Sequence, residues 1–221
     1  MKRYVDLSVT VSDTTLSPPS TNMKLQITPH NRGPGFWQVS SVRQSLHTGA
    51  HIDSPLHVFK DGITTAEISL DQVMGEAVVV DMSFVGANHR ITIDDLRRGG
   101  ADAVKRGDIV LLRTDWTDKM YGRWPEYFTQ SPYCPPETAE WLVARGVKNI
   151  GFDFFEEYCA RLPDFSSEDF PMHRVILGAG VVIMEGLTNL GALPTTRVDF
   201  EAPFYKIAGT EGAPARFFAR V

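Results

Sequence analysis

The residues His47-Thr48-Gly49-Ala50-His51-Ile52-Asp53-Ser54-Pro55-Leu56-His57 hold half of the chain's six histidines, with an aspartate among them. Counted from His47, the other three side chains follow at offsets of 4, 6 and 10, all even. An extended chain sends alternate residues to one face, so His47, His51, Asp53 and His57 can all look the same way. A helix would align only His47 with His51, and Gly49 and Pro55 disfavour one. A straight strand would hold His47 and His57 about 33 Å apart, too far for one site. The segment is therefore expected to bend, at Gly49 and at Pro55. His51 and Asp53 lie only about 6.6 Å apart along a strand, which suits shared coordination of one ion. Imidazole with carboxylate matches a borderline divalent cation such as zinc or manganese. The competing reading is a polar loop whose histidines face water; three histidines in phase with an aspartate favour the metal.

Strands are expected on both sides of this stretch. Residues 4–11 alternate as a strand does, residues 12–21 form a loop around Pro18-Pro19, and strand patterns return at 23–28 and 36–45 across the turn 31–35. Short buried strands are expected at 76–82, 108–113, 147–153 and 181–185, and a last one at 204–207. Thr92 with Asp95 fits a capping box that opens a helix to about Arg98, and Pro135-Pro136 opens another that Gly146 stops. Strands outnumber helices and the helices sit in the middle. That order predicts an α/β fold with a mixed, barrel-like sheet. No break in composition marks a boundary, so residues 1–221 are expected to form a single domain.

Composition narrows the function. The chain has 221 residues, 43% hydrophobic and 22% charged, with a formal net charge of -5. That is globular composition with no pull on nucleic acid or anionic lipid. Its two cysteines, Cys134 and Cys159, make no disulfide framework. The longest apolar run, Val175 to Met184, is too short to span a bilayer. The N-terminus, Met1 to Asp6, lacks the apolar stretch of a signal peptide. A cytoplasmic protein with neither nucleic-acid nor membrane partner is expected.

More ligands are needed than one segment supplies. His30 and His89 lie beside turns and are expected at the surface. His173 leads into an apolar strand that ends at Glu185. A carboxylate at the end of a buried strand must be paired, hydrogen bonded or metal bound, unless it simply leaves the sheet for solvent.

With these residues in view, the sequence resembles the metal-dependent cyclase family, which includes bacterial kynurenine formamidases and isatin hydrolases. HTGAHIDSPLH is similar to that family's HxGTHxDxPxH signature, and His173 with Glu185 reproduces a later histidine–glutamate spacing. Asp6-Leu7-Ser8, the LLRT at 111–114 and the KIAGTEGAPAR at 206–216 resemble family segments too. The resemblance implies that His47, His51, Asp53 and Glu185 hold one metal and that Asp53, His173 and Glu185 hold a second. Zn2+ or Mn2+, one or two ions per chain, is the implied cofactor, and His57 the implied acid–base catalyst. It also implies a barrel-like cyclase fold, a homodimer or homotetramer, and hydrolysis of a C–N bond (aryl formamide or cyclic amide) or a lactone by a metal-activated water. The alternatives are a cyclase or lyase working through an enolate on the same metals, and a non-catalytic small-molecule binder.

Two departures bear on the substrate. The early loop reads Leu16-Ser17-Pro18-Pro19-Ser20, without the tryptophan typical of formamidases. Where the family often has GIDTPSxD, this chain has Gly151-Phe152-Asp153-Phe154-Phe155-Glu156-Glu157. Both fall where an aromatic or cyclic substrate is expected. Phe36, Trp37, Phe154 and Phe155 are the candidate contacts; the aromatic stretch from Trp116 to Phe128 reads first as a packed surface loop, with a wall over an aromatic substrate as its alternative. Cys134 has no histidine near it in sequence, and no GxSxG, P-loop or GxGxxG is present, so rival chemistries lack their residues.

Overall fold

Short apolar runs in the middle of the chain build four parallel strands: β5 (Met74–Asp81), β6 (Ile109–Arg113), β7 (Asn149–Phe152) and β8 (Val182–Glu185). The structure is a computed structural model that describes residues 3–21, 23–194 and 196–221. Met1 and Lys2, part of the N-terminal stretch read above, lie outside the described residues. Five antiparallel strands extend the parallel set: β1 (Tyr4–Asp6), β4 (His51–Asp53), β9 (Arg197–Glu201), β10 (Gly212–Pro214) and β11 (Phe218–Arg220). The nine-stranded order is β1-β11-β9-β5-β6-β7-β8-β4-β10. The chain leaving β1 bonds across to the chain leaving β8, Thr188 N to Leu7 O at 3.0 Å and Val9 N to Gly186 O at 3.3 Å. The sheet is thereby curled into a half-barrel.

The period of two sorts the side chains into two cores. Ala77, Val79, Ile109, Leu111, Val182 and Met184 face into the curl, against Leu7, Phe200, Phe217 and Ala219. Val78, Val80, Val110, Leu112, Ile150 and Ile183 face out and are covered by Leu96, Leu142 and Ile176. In chain order the helices are α1 (Leu70–Val73), α2 (Ile93–Arg98), α3 (Trp116–Met120), α4 (Glu126–Thr129), α5 (Pro136–Val143) and α6 (Pro171–Gly178). The expected capping box opens α2, Thr92 Oγ1 accepting from Asp95 N at 3.1 Å.

Three expectations change. The strand expected at 204–207 is absent: Phe204 makes only an isolated bridge to Ala215, and the chain ends instead in β9, β10 and β11. Residue His173 does not lead directly into a strand; it lies in α6, which turns at Ala179-Gly180 before β8. Of the strand expected at 4–11, only β1 forms, because the residues after it cross the open side of the curl. Strands β2 (Gln26–Asn31) and β3 (Gln38–Arg43) pair only with each other, as a ribbon with every strand residue exposed.

Phe217 is fully buried in the curl, whereas Phe36 at the ribbon tip is 91% exposed. Phe217→Ala should cost about 3–5 kcal/mol in urea denaturation, and Phe36→Ala no more than about 0.5 kcal/mol. Equal effects would mean that the curl is not the main core.

Candidate metal centre

Strand β4 is three residues long, and its alternation aims His51 and Asp53 to one side with Ile52 in the inner core. Before it, Gly49 adopts φ +73°, a left-handed turn that folds His47 back over the strand. After it, Pro55 starts a short 3-10 turn that ends at His57. The antiparallel partner of β4 is β8, in a register that sets Glu185 opposite His51. The first turn of α6 brings His173 from the outer layer. Strand and helix ends thus meet at one buried point.

The geometry there is reciprocal. Asp53 Oδ1 lies 2.9 Å from His47 Nδ1 and 3.5 Å from His51 Nε2, while Oδ2 lies 3.6 Å from His173 Nε2. Glu185 Oε2 lies 3.2 Å from His51 Nε2, while Oε1 lies 3.6 Å from His173 Nε2. Each carboxylate therefore turns one oxygen to the first histidine pair and the other to His173. His57 stands alongside, its ring centroid 4.3 Å from that of His47 and 5.4 Å from that of His173.

Behind each imidazole stands an anchor. His51 Nδ1 donates to Gly49 O at 2.8 Å, which turns its Nε2 toward Asp53 and Glu185. His173 Nδ1 lies 2.9 Å from Glu157 Oε1, and His47 Nε2 lies 3.2 Å from Glu211 Oε1. Glu156 and Glu157 are fully buried. The departure at 151–157 thus puts two carboxylates behind His173, where substrate contacts were expected. Phe154 and Phe155 do line the cavity beside the cluster, with Leu16, Pro18, Tyr121, Trp124, Tyr127 and Phe128. Phe36 and Trp37 are not among its lining residues; they sit at the exposed end of the β2–β3 ribbon. Sequence reasoning did not single out Glu211, although it lies in the family-like 206–216 segment. Trp124 lines the cavity with Leu16 and Pro18, and its Nε1 donates to Thr14 O at 3.1 Å.

Does a cation fit? His51 Nε2, both Asp53 oxygens and Glu185 Oε1 are buried without a hydrogen-bond donor or acceptor among the described residues. Orphaned buried polar atoms are costly, and these converge on one volume. Nitrogen and oxygen donors in that arrangement are what a divalent cation requires. A second acidic group, Asp115, Asp118 and Asp153, differs in kind. The Asp153 carboxylate already accepts from Thr114 N, Thr114 Oγ1 and Asp115 N.

The electrostatics follow from the same contacts. Burial opposes ionisation of Asp53, but the His47 and His51 imidazoles outweigh it and hold the carboxyl well below the usual range. Burial likewise opposes Glu185, and the His51 imidazole beside it pulls it down to about 2. Burial works against a charged His47, yet Asp53 lifts it to about 10. His173 is raised well above the ordinary imidazole value by Asp53 and Glu157, again against burial. His57 has no carboxylate bonded to it, and burial takes it down to about 4. Cys134 and Cys159 are both buried thiols, and burial pushes Cys159 up to about 12, so neither is a nucleophile.

Comparison with known proteins supplies the family. The Cyclase family model matches residues 5–156. A kynurenine formamidase of Salinibacter ruber (strain DSM 13855 / M31) is 31% identical over 223 residues, covering 98% of this chain and 96% of that protein. One from Erythrobacter litoralis (strain HTCC2594) is also 31% identical, over 82% of this chain and 76% of its own length. The solved structure of isatin hydrolase A from Labrenzia aggregata bound to benzyl benzoate superposes with TM-score 0.83 at 26% identity, over 100% of this chain and 94% of its own.

His47 and His173 keep their protons at pH 7 until a cation competes for the same lone pairs. Binding of Zn2+ or Mn2+ should therefore release roughly one to two protons per chain. Calorimetry in buffers of different ionisation enthalpy measures this directly. Binding without proton release would contradict the charge states described.

Proposed function

The chain belongs to the Cyclase family, and on that footing we propose that it is a cation-dependent hydrolase that opens the C–N bond of aryl formamides or cyclic amides. One observation carries the reading: Asp53 and Glu185 each divide their two oxygens between His51 and His173. That division supports two neighbouring cation positions, the first held by His47, His51, Asp53 and Glu185, the second by Asp53, His173 and Glu185. Zn2+ or Mn2+ fits both donor sets. A divalent cation bound there supplies positive charge that polarises a carbonyl and acidifies water.

The protein's own groups do the rest. His57, pushed down by burial, is neutral at neutral pH and free to take a proton from water. The same nitrogen then returns that proton to the departing amide nitrogen. The titration of His57 thus lies below the ordinary imidazole value of about 6.5. Tyr121, Trp124, Tyr127, Phe128, Phe154 and Phe155 form an apolar wall suited to an aromatic ring. In this conformation the wall leaves only about 30 Å³, enough for water but not for an aryl group.

We further propose that residues 1–221 act as one domain and assemble as a homodimer or homotetramer in the cytoplasm. Ile27, Phe36, Trp37, Val39 and Val42 on the ribbon expose apolar surface, which supports an assembly. Both cysteines are free and buried, which suits a reducing compartment. No helix among the described residues is long and apolar enough to cross a membrane.

Loaded with Mn2+ or Zn2+, the protein should hydrolyse formanilide or isatin with net release of acid. His57→Ala should keep its cations and lose about 10²–10⁴-fold in kcat, whereas Asp53→Ala should lose cations and activity together. Turnover without acid release would point to the enolate lyase instead. Equal cation loss in the two variants would make His57 a ligand.

A further inference from the structure

An imidazole can bind a cation only through a nitrogen without a proton, so whatever holds the proton on the other nitrogen decides where the cation sits. The three histidines of the centre are held by three different anchors. For His51 it is a backbone carbonyl, Gly49 O. For His173 and His47 it is a carboxylate, and the two carboxylates come from segments unrelated in sequence.

Glu157 is built in rigidly. Its Oε1 accepts from His173 Nδ1 at 2.9 Å and from the His173 backbone N at 3.0 Å. That amide lies in the first turn of α6, where a helix offers its own N–H groups no acceptor. One oxygen therefore fixes the ring to the helix end and turns Nε2 toward Asp53 and Glu185, as the nitrogen that a cation would take. Glu157 is fully buried, so this bond is not diluted by water.

Glu211 is set by strand pairing. Its carbonyl accepts from Ser54 N at 2.8 Å and Ser54 Oγ at 3.1 Å, which locks it beside the end of β4. The next residue is Gly212, where a Cβ would lie 2.8 Å from His47 Cε1. The missing side chain lets the His47 ring rest against β10 with Nε2 on Glu211 and Nδ1 toward Asp53.

We propose that Glu211 and Glu157 are positioning residues, one for each cation position: Glu211 acts through His47 on the first, Glu157 through His173 on the second. The proposal rests on the two-cation reading above. Its consequence is that the two positions can be weakened separately, although Asp53 and Glu185 are common to both.

Calorimetric titration with Mn2+ alone, and with Zn2+ alone, tests this without recourse to turnover. The wild-type chain should bind two ions. Glu157→Gln should weaken one by about 10–100-fold, and Glu211→Gln the other by a similar factor. Combined with His173→Ala, Glu157→Gln should add nothing, whereas Glu211→Gln should add its full effect. Combined with His47→Ala, the pattern should reverse. Should Glu157→Gln fail to fold, Glu157→Asp, which keeps the charge and retracts it, should show the same selective loss. One ion per wild-type chain, unchanged affinities, or equal weakening of both ions by either variant overturns the proposal. Hydrolysis with uniform weakening would sink it while leaving the hydrolase reading intact.

Discussion

Two carboxylates, Asp53 and Glu185, lie in the interior with oxygens that no hydrogen-bond donor among the described residues satisfies. An ionised carboxylate in that position costs several kcal/mol unless opposite charge meets it. The imidazoles around it offset part of this, and they do so by holding protons that a cation would displace. The rest of the molecule can be read as the means of bringing these groups together. Curling the sheet puts β4 beside β8, and the register between them sets His51 opposite Glu185. The crossover through α6 delivers His173 from the outer layer to the same point. No neighbouring pair in the sequence could have made this site.

The elements divide the work. The parallel strands β5 to β8 carry apolar side chains on both faces and give a stiff frame. The functional groups sit at strand ends and in the turns beside them, as open α/β sheets generally place them. The aromatic residues of the α3–α4 region line the cavity. A dry, shaped cavity strengthens electrostatic effects on a bound carbonyl, because little water remains to screen them.

Much of this was legible beforehand, and the exceptions have physical causes. The His47–His57 cluster was readable because even offsets, Gly49 and Pro55 together leave few ways to fold it. Strands β5 and β6 were readable because their aliphatic residues run together, and β7 and β8 because each is a short apolar run beyond a turn. The strand β10 was not: Gly212-Ala213-Pro214 has no strand propensity and exists through its ladder to β4. Helix α6 was hidden because its apolar residues run on into those of β8. Met172, His173, Ile176 and Leu177, all buried, carry the helical spacing that could have revealed it. The roles of Glu156, Glu157 and Glu211 depend on contacts between distant segments, so no local pattern announces them. Phe36 and Trp37 looked like substrate contacts by residue type alone; the unpaired ribbon carries them out to solvent.

The most direct measurement is an anomalous difference map from crystals grown with Mn2+. The account predicts two peaks astride Asp53 and Glu185, each about 2.0–2.2 Å from its carboxylate and imidazole donors. It also predicts no peak at Asp115, Asp118 and Asp153. A map empty at Asp53, or one with its strongest peak at that other acidic group, would contradict it.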